Sequence, residues 1–212
     1  VLLCCLLAFP ADGSAAVVDF EIPPLDPGES NRIIDPYVCP MTGVVFTIEP
    51  GCCSHGDEVV GLVKNNTTSV CTPPPDDNQK LASGRAGSVG YSGFPIRATF
   101  PEHLPSPAMV SVEYQALAGA IARLTLYDEY GGVIGDASGV VMPIGTCSGG
   151  SDRGRVVVTA MSFGNQPIAS VAMSLSQPTL VWVIDDFTFV EGGIIAAEPT
   201  SWGRVKALYT LE

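Results

Sequence analysis

The stretch Thr179–Val190, TLVWVIDDFTFV, constrains the fold more than any other part of the chain. It is rich in β-branched and aromatic residues and contains no glycine, which is typical of a buried strand. Two carboxylates, Asp185 and Asp186, interrupt it. Because a buried charge is costly unless it is paired or bound to a metal, this acidic pair needs an explanation. We interpret the stretch as the closing strand of a β-sandwich that carries a calcium site.

The rest of the chain repeats short strand-like segments that are separated by turn residues. Ala108–Ala116 illustrates the pattern, because Val110, Val112 and Tyr114 alternate with more polar residues, as in a half-buried antiparallel strand. About eleven such segments precede residue 191. No amphipathic helix separates them, which excludes a parallel α/β fold. The pattern predicts an all-β antiparallel sandwich, or jelly roll.

Two longer segments do not follow the strand pattern. Asn65–Gly90 is rich in Pro, Asp and Asn and is interpreted as a long loop. Pro143–Arg153 is a polar, glycine-rich loop. Beyond Gly192-Gly193, the sequence Trp202–Leu211 has an apolar face at helical spacing and predicts a short C-terminal helix. Residues 192–212 are therefore predicted to be a linker and a helical tail, which either docks on its own domain or anchors the protein to a partner.

The beginning of the chain resembles a secretory signal peptide. An apolar run, Val1–Phe9, is followed by small residues that end in Ser14-Ala15-Ala16. The basic region and the initiator Met are missing, so the signal is truncated at its start. We expect cleavage after Ala16, a sandwich domain over residues 17–191, and a location outside the cell or on its surface. The run is too short to span a bilayer, so we expect no membrane insertion of the mature chain.

The charge of the chain restricts its partners. Its formal net charge is −12, so it repels nucleic acid and anionic membranes, and we exclude both as partners.

The cysteines beyond the signal predict disulfide bonds, because an exported chain is oxidised. They are Cys39, Cys52, Cys53, Cys71 and Cys147. Adjacent Cys52 and Cys53 are poorly placed to pair with each other, so we expect Cys39 and Cys71 to be their partners, in an order that the sequence leaves open. Cys147 is then free or intermolecular. Zinc is a weaker alternative, because His55 lies nearby but no C-x-x-C pair is present.

Several short motifs resemble those of carbohydrate-binding-module-like jelly rolls, which have a galactose-binding-like fold. They are Asp19-Phe20-Glu21, Ala98-Thr99-Phe100, Val110-Ser111-Val112, Leu126-Tyr127-Asp128 with Gly131, and Ile184-Asp185-Asp186-Phe187. The combination is similar to domains of secreted bacterial proteins that carry a C-terminal sorting or anchoring tail. The tail residues 201–209, SWGRVKALY, look like such a segment.

The resemblance implies a structural calcium ion between the first and last strands. Its ligands would be Glu21 and one of Asp185 or Asp186, with Asp19 as a further candidate. Backbone oxygens and water must complete the shell, because calcium takes six to eight oxygen ligands.

The resemblance also implies a glycan-binding surface, for which Tyr127, Tyr130 and Asp128 are the candidate residues. Asp128 opens a hairpin turn, and Tyr127 and Tyr130, together with Tyr37 and Tyr91, are the tyrosines that are candidates for stacking on sugar rings.

No catalytic constellation stands out. Gly145–Gly149 superficially matches a nucleophile elbow, but His55 and His103 both precede it, whereas the motif needs a later histidine. We therefore predict a non-enzymatic, secreted module that binds glycan or a cell-surface partner and is stabilised by calcium. The alternative is a structural or adhesive surface protein that is tethered or assembled through its tail.

Overall fold

The fold was obtained as a computed structural model, which describes residues 15–27, 29–52, 56–64, 71–72, 79–89, 93–147, 152–162, 164–176 and 182–190. Within these ranges the chain forms sixteen strands and no helix. They are β1 Ala15–Val18, β2 Asn31–Ile33, β3 Tyr37–Val38, β4 Val45–Ile48, β5 Glu58–Lys64, β6 Cys71–Thr72, β7 Gln79–Arg85, β8 Ser88–Val89, β9 Ile96–Leu104, β10 Met109–Leu117, β11 Ile121–Tyr127, β12 Val133–Val140, β13 Met142–Cys147, β14 Asp152–Met161, β15 Ile168–Leu175 and β16 Val183–Val190.

The strands form two antiparallel sheets. The ten-stranded sheet has the order β2-β5-β7-β16-β10-β14-β13-β6, with β1 paired to β16 and β8 paired to β7. The six-stranded sheet has the order β12-β11-β15-β9-β4-β3. This arrangement confirms the all-β, antiparallel part of the prediction and is that of a β-sandwich. Among the described residues no helix is long and apolar enough to cross a membrane.

One apolar core lies between the sheets. The alternating residues of β10 that the sequence pattern assigned to it, Val110, Val112 and Tyr114, are fully buried. Tyr114 reaches across the core and donates a hydrogen bond from its hydroxyl to the Arg123 carbonyl oxygen, at 2.7 Å. Trp182, which precedes β16, stacks on Tyr114 with ring centroids 5.7 Å apart. Strand β10 therefore lines the middle of the core between the two sheets.

The acidic pair lies where β16 changes its register against β10. Glu113 is opposite Asp185, whereas Ser111 is opposite Thr188, so the register shifts between these two pairs. Asp186 lies in the shift and has a φ of 44°, in the left-handed region. Asp185 is buried and Asp186 is exposed.

Several strands fall where the sequence predicts loops. The largest difference is β7, which lies inside the predicted loop Asn65–Gly90 and pairs with β5 over seven residues and with β16 over two. Its sequence, QKLASGR, contains only two apolar residues, so its strand pattern is weak. Most of β13 similarly falls within the predicted loop Pro143–Arg153.

The predicted domain limits at both termini stay predictions, because most of these segments lie outside the described residues. Ala15 and Ala16, predicted as the end of the signal peptide, form the first half of β1 and pair with Val190 and Phe189. The rest of the predicted signal and the predicted helix Trp202–Leu211 lie outside the described residues.

Candidate functional site

The turn that joins β11 to β12, residues 128–132, is named here the hairpin tip. Asp128 holds it in place, because its Oδ1 accepts hydrogen bonds from the backbone N–H groups of Tyr130, at 2.9 Å, and Gly132, at 2.7 Å. The backbone N–H of Asp128 also donates to the Gly132 carbonyl oxygen, at 3.0 Å. Gly131 has a φ of 79°, which glycine adopts without strain. Asp128 is therefore a buried support of the tip and is largely withdrawn from solvent.

The hairpin tip displays one aromatic ring to solvent. Tyr130 is 85% exposed, although its backbone is fixed by Asp128. A hydrogen bond to Glu129, and then the negative charges of Glu129 and Asp128, raise the pKa of the Tyr130 hydroxyl. The tip thus combines a flat apolar ring with a neutral hydroxyl and a neighbouring carboxylate.

Tyr127, the last residue of β11, belongs to a second group beside the tip. We name this group the Arg97 cluster; it consists of Glu49, Arg97, Tyr127 and Ser170. The Arg97 guanidinium lies over the Tyr127 ring, with 4.7 Å from its central carbon to the ring centroid. Its Nε donates to Glu49 Oε2 at 2.7 Å, a second nitrogen donates to Glu49 Oε1, and Nη1 donates to Ser170 Oγ at 2.9 Å. The hydrogen bonds to Glu49 raise the pKa of Arg97, which fixes its positive charge.

The order of the strands in the six-stranded sheet brings the members of the Arg97 cluster together. Its members lie on β11, β15 and β9 and just after β4, which are neighbours in the six-stranded sheet. Arg97 alternates with buried Ile96 and Ala98 and therefore faces away from the core. The three predicted glycan-binding residues, Tyr127, Asp128 and Tyr130, are thus brought to one end of this sheet. Arg97 was missed by the sequence reasoning, although its position between the apolar residues Ile96 and Ala98 was a usable signal.

The predicted calcium ligands are divided between the segment that follows β1 and strand β16, and β1 pairs with β16 as far as Val18 and Phe187. Glu21 Oε1 accepts a hydrogen bond from the backbone N–H of Gln79, at 2.8 Å, and Asp19 Oδ1 accepts one from the N–H of Glu21, at 3.2 Å. Asp185 and Asp186 lie on β16. In the described part of the chain, no group of three or more His, Cys, Asp or Glu residues is placed to hold a metal ion. These residues therefore do not form a calcium site by themselves, and structural calcium stays a prediction.

The counter-charge of Asp185 is an amino group. Lys80 on β7 is fully buried, and its Nζ lies 3.4 Å from Asp185 Oδ2. Asp185 is 6% exposed and also accepts a hydrogen bond from the backbone N–H of Asp186 at 3.0 Å. Both side chains lie on the face of the ten-stranded sheet that points away from the main core, beside a small apolar cluster of Val63, Ala82 and Val183. Lys80 was missed by the sequence reasoning because it lies in a predicted loop.

A second ion pair lies next to the Lys80–Asp185 pair in the ten-stranded sheet. Glu113 of β10, which is opposite Asp185, lies 3.3 Å from Arg155 Nε and accepts a hydrogen bond from Gln115 at 2.9 Å. Two acidic residues in the middle are thus flanked by a basic residue on each side.

Protonation of Asp185 is expected to raise the stability of the protein as the pH falls from 7 to about 4.5. Burial raises the pKa of Asp185 from 3.8 to about 6, against the lowering effect of Lys80. The folded state therefore binds a proton that the unfolded state does not yet bind, which favours the folded state by about 2 kcal/mol over this range. Urea denaturation at both pH values measures the effect.

The pH effect has a matched control in the neighbouring residue. Asp185→Asn should remove this contribution, whereas Asp186→Asn, at the exposed position, should retain it. An identical pH dependence in both variants would contradict the assignment to Asp185.

The predicted disulfide partners are partly wrong. Cys39 is a free thiol that is 5% exposed and belongs to the main core, so its predicted bond to Cys52 or Cys53 is not formed. Its backbone N–H and carbonyl instead close the turn between β3 and β4 through hydrogen bonds with Val44 and Gly43. Cys52 is disulfide-bonded, to a partner outside the described side chains. Cys53 lies outside the described residues.

No protein-family model matches the sequence, and no curated protein matches it significantly. Among solved structures, the chain is similar to a Stig cyclase, Fisc, from Fischerella sp. TAU, with 13% identity, a TM-score of 0.46, and coverage of 84% of this chain and 98% of that one. It is also similar to a cyclase from Fischerella sp. TAU in complex with 4-(1H-Indol-3-yl)butan-2-one, with 12% identity, a TM-score of 0.45, and coverage of 83% and 95%.

A third similar structure is the CBM22-1 xylan-binding domain of Paenibacillus barcinonensis Xyn10C. The identity is 9%, the TM-score is 0.39, and the coverage is 70% of this chain and 87% of that domain. All three TM-scores are below 0.5, so these similarities carry no conclusion about the function of this chain.

Proposed function

We propose that this chain is a non-catalytic, exported β-sandwich module that binds glycan through the hairpin tip and the adjoining Arg97 cluster. The observation that carries the proposal is the Tyr130 ring, which is 85% exposed on a turn that Asp128 fixes. An exposed aromatic ring can bind a partner, because its apolar face gains free energy when the partner covers it. A fixed turn lowers the ordering cost of that contact.

The chemistry of the tip suits a sugar ring. A pyranose has an apolar C–H face and a rim of hydroxyl groups. The Tyr130 ring can cover the face, while the Glu129 carboxylate accepts hydrogen bonds from the rim. Sugar sites combine apolar contacts with a few fixed polar groups in this way. The Arg97 cluster supplies further fixed polar groups at the same end of the sheet.

The charge of the chain narrows the class of glycan. The net charge is −12, and the tip itself carries Asp128 and Glu129. Acidic polysaccharides are therefore repelled, and neutral or amino sugars are favoured.

Replacing Tyr130 with alanine is expected to weaken glycan binding about ten-fold or more, because the stacking surface is lost. Tyr130→Phe keeps the ring and should retain most of the affinity. Native gel electrophoresis in the presence of soluble neutral polysaccharides measures the effect as a loss of retardation, and a glycan array identifies the sugar.

The control variant is Met41→Ala, at a residue that is 80% exposed and far from the tip in the chain. It should bind as the unmodified protein does. The proposal fails if no polysaccharide on the array is bound, or if Tyr130→Ala binds as well as Met41→Ala.

The remaining parts of the prediction are independent of this site. Export, the jelly-roll topology and structural calcium stay predictions. The alternative function, a structural or adhesive protein assembled through its tail, depends on residues 192–212, which lie outside the described residues.

A further inference from the structure

The guanidinium of Arg97 is paired with the carboxylate of Glu49 through two parallel contacts. Its Nε and Nη2 atoms donate to the two oxygens of Glu49, one to each. Bidentate pairs of this kind are stronger and more directional than single contacts. The side chains of Arg97 and Glu49 are only 22% and 19% exposed, so water screens the pair in part. The positive charge of Arg97 is therefore balanced within the protein.

The pairing leaves part of the guanidinium available to a ligand. An arginine side chain carries five N–H groups. Two of them donate to Glu49 and one donates to Ser170, and the other two have no acceptor within the described ranges. The residues opposite Arg97 on the neighbouring strands, Thr47 and Ala172, are small and uncharged. The Arg97 cluster thus offers two N–H donors on a pair that carries no net charge.

This arrangement distinguishes between two classes of sugar. A sugar hydroxyl accepts an N–H hydrogen bond without bringing a charge to the cluster. A carboxylate of an acidic sugar would instead compete with Glu49 for the guanidinium and would lie close to a like charge. Repulsion that is built against the wrong ligand is a common source of specificity.

We propose that Glu49 determines the charge selectivity of the Arg97 cluster, because it holds the guanidinium in a neutral pair that binds hydroxyl groups and repels carboxylates. This inference rests on the proposed glycan-binding function and assigns the preference for uncharged sugars to one residue. The net charge of the chain repels every anion from a distance, whereas Glu49 acts at the point of contact. Glu49 is a positioning residue, since it acts through Arg97.

Replacing Glu49 with glutamine tests the proposal as a gain of binding. The variant keeps the size of the side chain and removes its charge, so Arg97 becomes available to a carboxylate. Isothermal titration calorimetry of the full chain with hexagalacturonate, which carries one carboxylate on each ring, measures the effect in low-salt buffer. We expect Glu49→Gln to bind this probe about five-fold more tightly than the unmodified protein, and the gain should decrease as salt screens the charges. The carboxylates of the hairpin tip remain and limit the gain.

Two control variants separate the role of Glu49 from a change in net charge. Glu102→Gln removes an exposed carboxylate on the same strand, roughly 16 Å further along it, and should bind hexagalacturonate as the unmodified protein does. Glu49→Gln combined with Arg97→Gln removes the guanidinium as well and should lose the gain. The proposal is overturned if Glu49→Gln binds the probe no more tightly than Glu102→Gln, or if the double variant keeps the gain.

The experiment also distinguishes this inference from the proposed function. Binding of neutral polysaccharides by the unmodified protein tests the proposed function, and hexagalacturonate tests Glu49. A gain with hexagalacturonate in a protein that binds no neutral polysaccharide would contradict glycan binding and would support the role of Glu49 in excluding anions from Arg97. Neutral binding without that gain would support the proposed function and contradict the inference.

Discussion

Replacing Lys80 with methionine is expected to destabilise the protein by about 3–5 kcal/mol at pH 7, because the substitution leaves the Asp185 carboxylate buried without its ammonium partner. The two groups are 3.4 Å apart, and the Lys80 side chain is fully buried. Water therefore cannot replace the lost partner as it does at the surface. Guanidinium or urea denaturation measures the loss, and part of it should be recovered at low pH, where Asp185 becomes protonated.

A double variant and a surface pair separate this effect from a general loss of packing. Lys80→Met combined with Asp185→Leu removes both charges and should recover most of the stability, since an apolar pair of similar volume often replaces a buried ion pair without loss. Arg32→Met, which breaks the more exposed pairs with Asp26 and Glu29, should cost about 1 kcal/mol or less. If Lys80→Met cost no more than Arg32→Met, the buried pair would have no structural importance.

Truncating Phe46 to alanine is the second change with a large expected effect, a loss of about 3–5 kcal/mol. Phe46 of β4 is fully buried, and its ring lies 5.2 Å from Phe20, 5.9 Å from Tyr37 and 5.2 Å from Phe187, measured between centroids. It thus connects the six-stranded sheet to β16 of the ten-stranded sheet. Removal of the ring would leave a cavity between these residues. The denaturant concentration at the midpoint of unfolding should therefore fall.

The matched control for Phe46 is an aromatic residue at the surface. Tyr130→Ala, proposed above for the binding experiment, removes an equally large ring that makes little buried contact, and should change the stability by less than about 0.5 kcal/mol. The same measurement then shows that the binding loss of Tyr130→Ala is not a loss of folding. Equal effects of the two variants would contradict the assignment of Phe46 to the centre of the core.

The strands that sequence predicts well are those that alternate between core and surface. Ala108–Ala116, which the sequence predicts as a strand from its alternation, corresponds closely to β10. β7 was missed because its residues Gln79, Lys80, Ser83, Gly84 and Arg85 resemble a loop. It is a strand because β5 and β16 pair with it on either side, and that pairing is a property of the assembled sheet.

The charge partner of Asp185 could not be predicted for the same reason, because it depends on how the strands pair in the assembled sheet. The sequence led us to interpret the carboxylates in β16 as part of a calcium site, which stays a prediction, whereas the structure places the Lys80 ammonium beside Asp185. The identity of that charge depends on which strand lies beside β16, and Lys80 is more than 100 positions away in sequence. In contrast, Tyr127, Asp128 and Tyr130 lie close together because one hairpin places all three and its turn signal is local, and their role in glycan binding stays a prediction.

The left-handed backbone conformation of Asp186 explains why two aspartates are adjacent in β16. Ile184 lies in the core, Asp185 on the opposite face, and Phe187 in the core again, so inward and outward positions alternate regularly if residue 186 is omitted from the count. Asp186 is the one extra residue of a β-bulge, in a backbone conformation that Asp and Asn adopt more readily than other non-glycine residues. The two carboxylates are therefore adjacent for unrelated reasons: one neutralises an ammonium group, and the other tolerates an unusual backbone angle. A strand lacking residue 186 would keep every buried side chain of β16 on its present face.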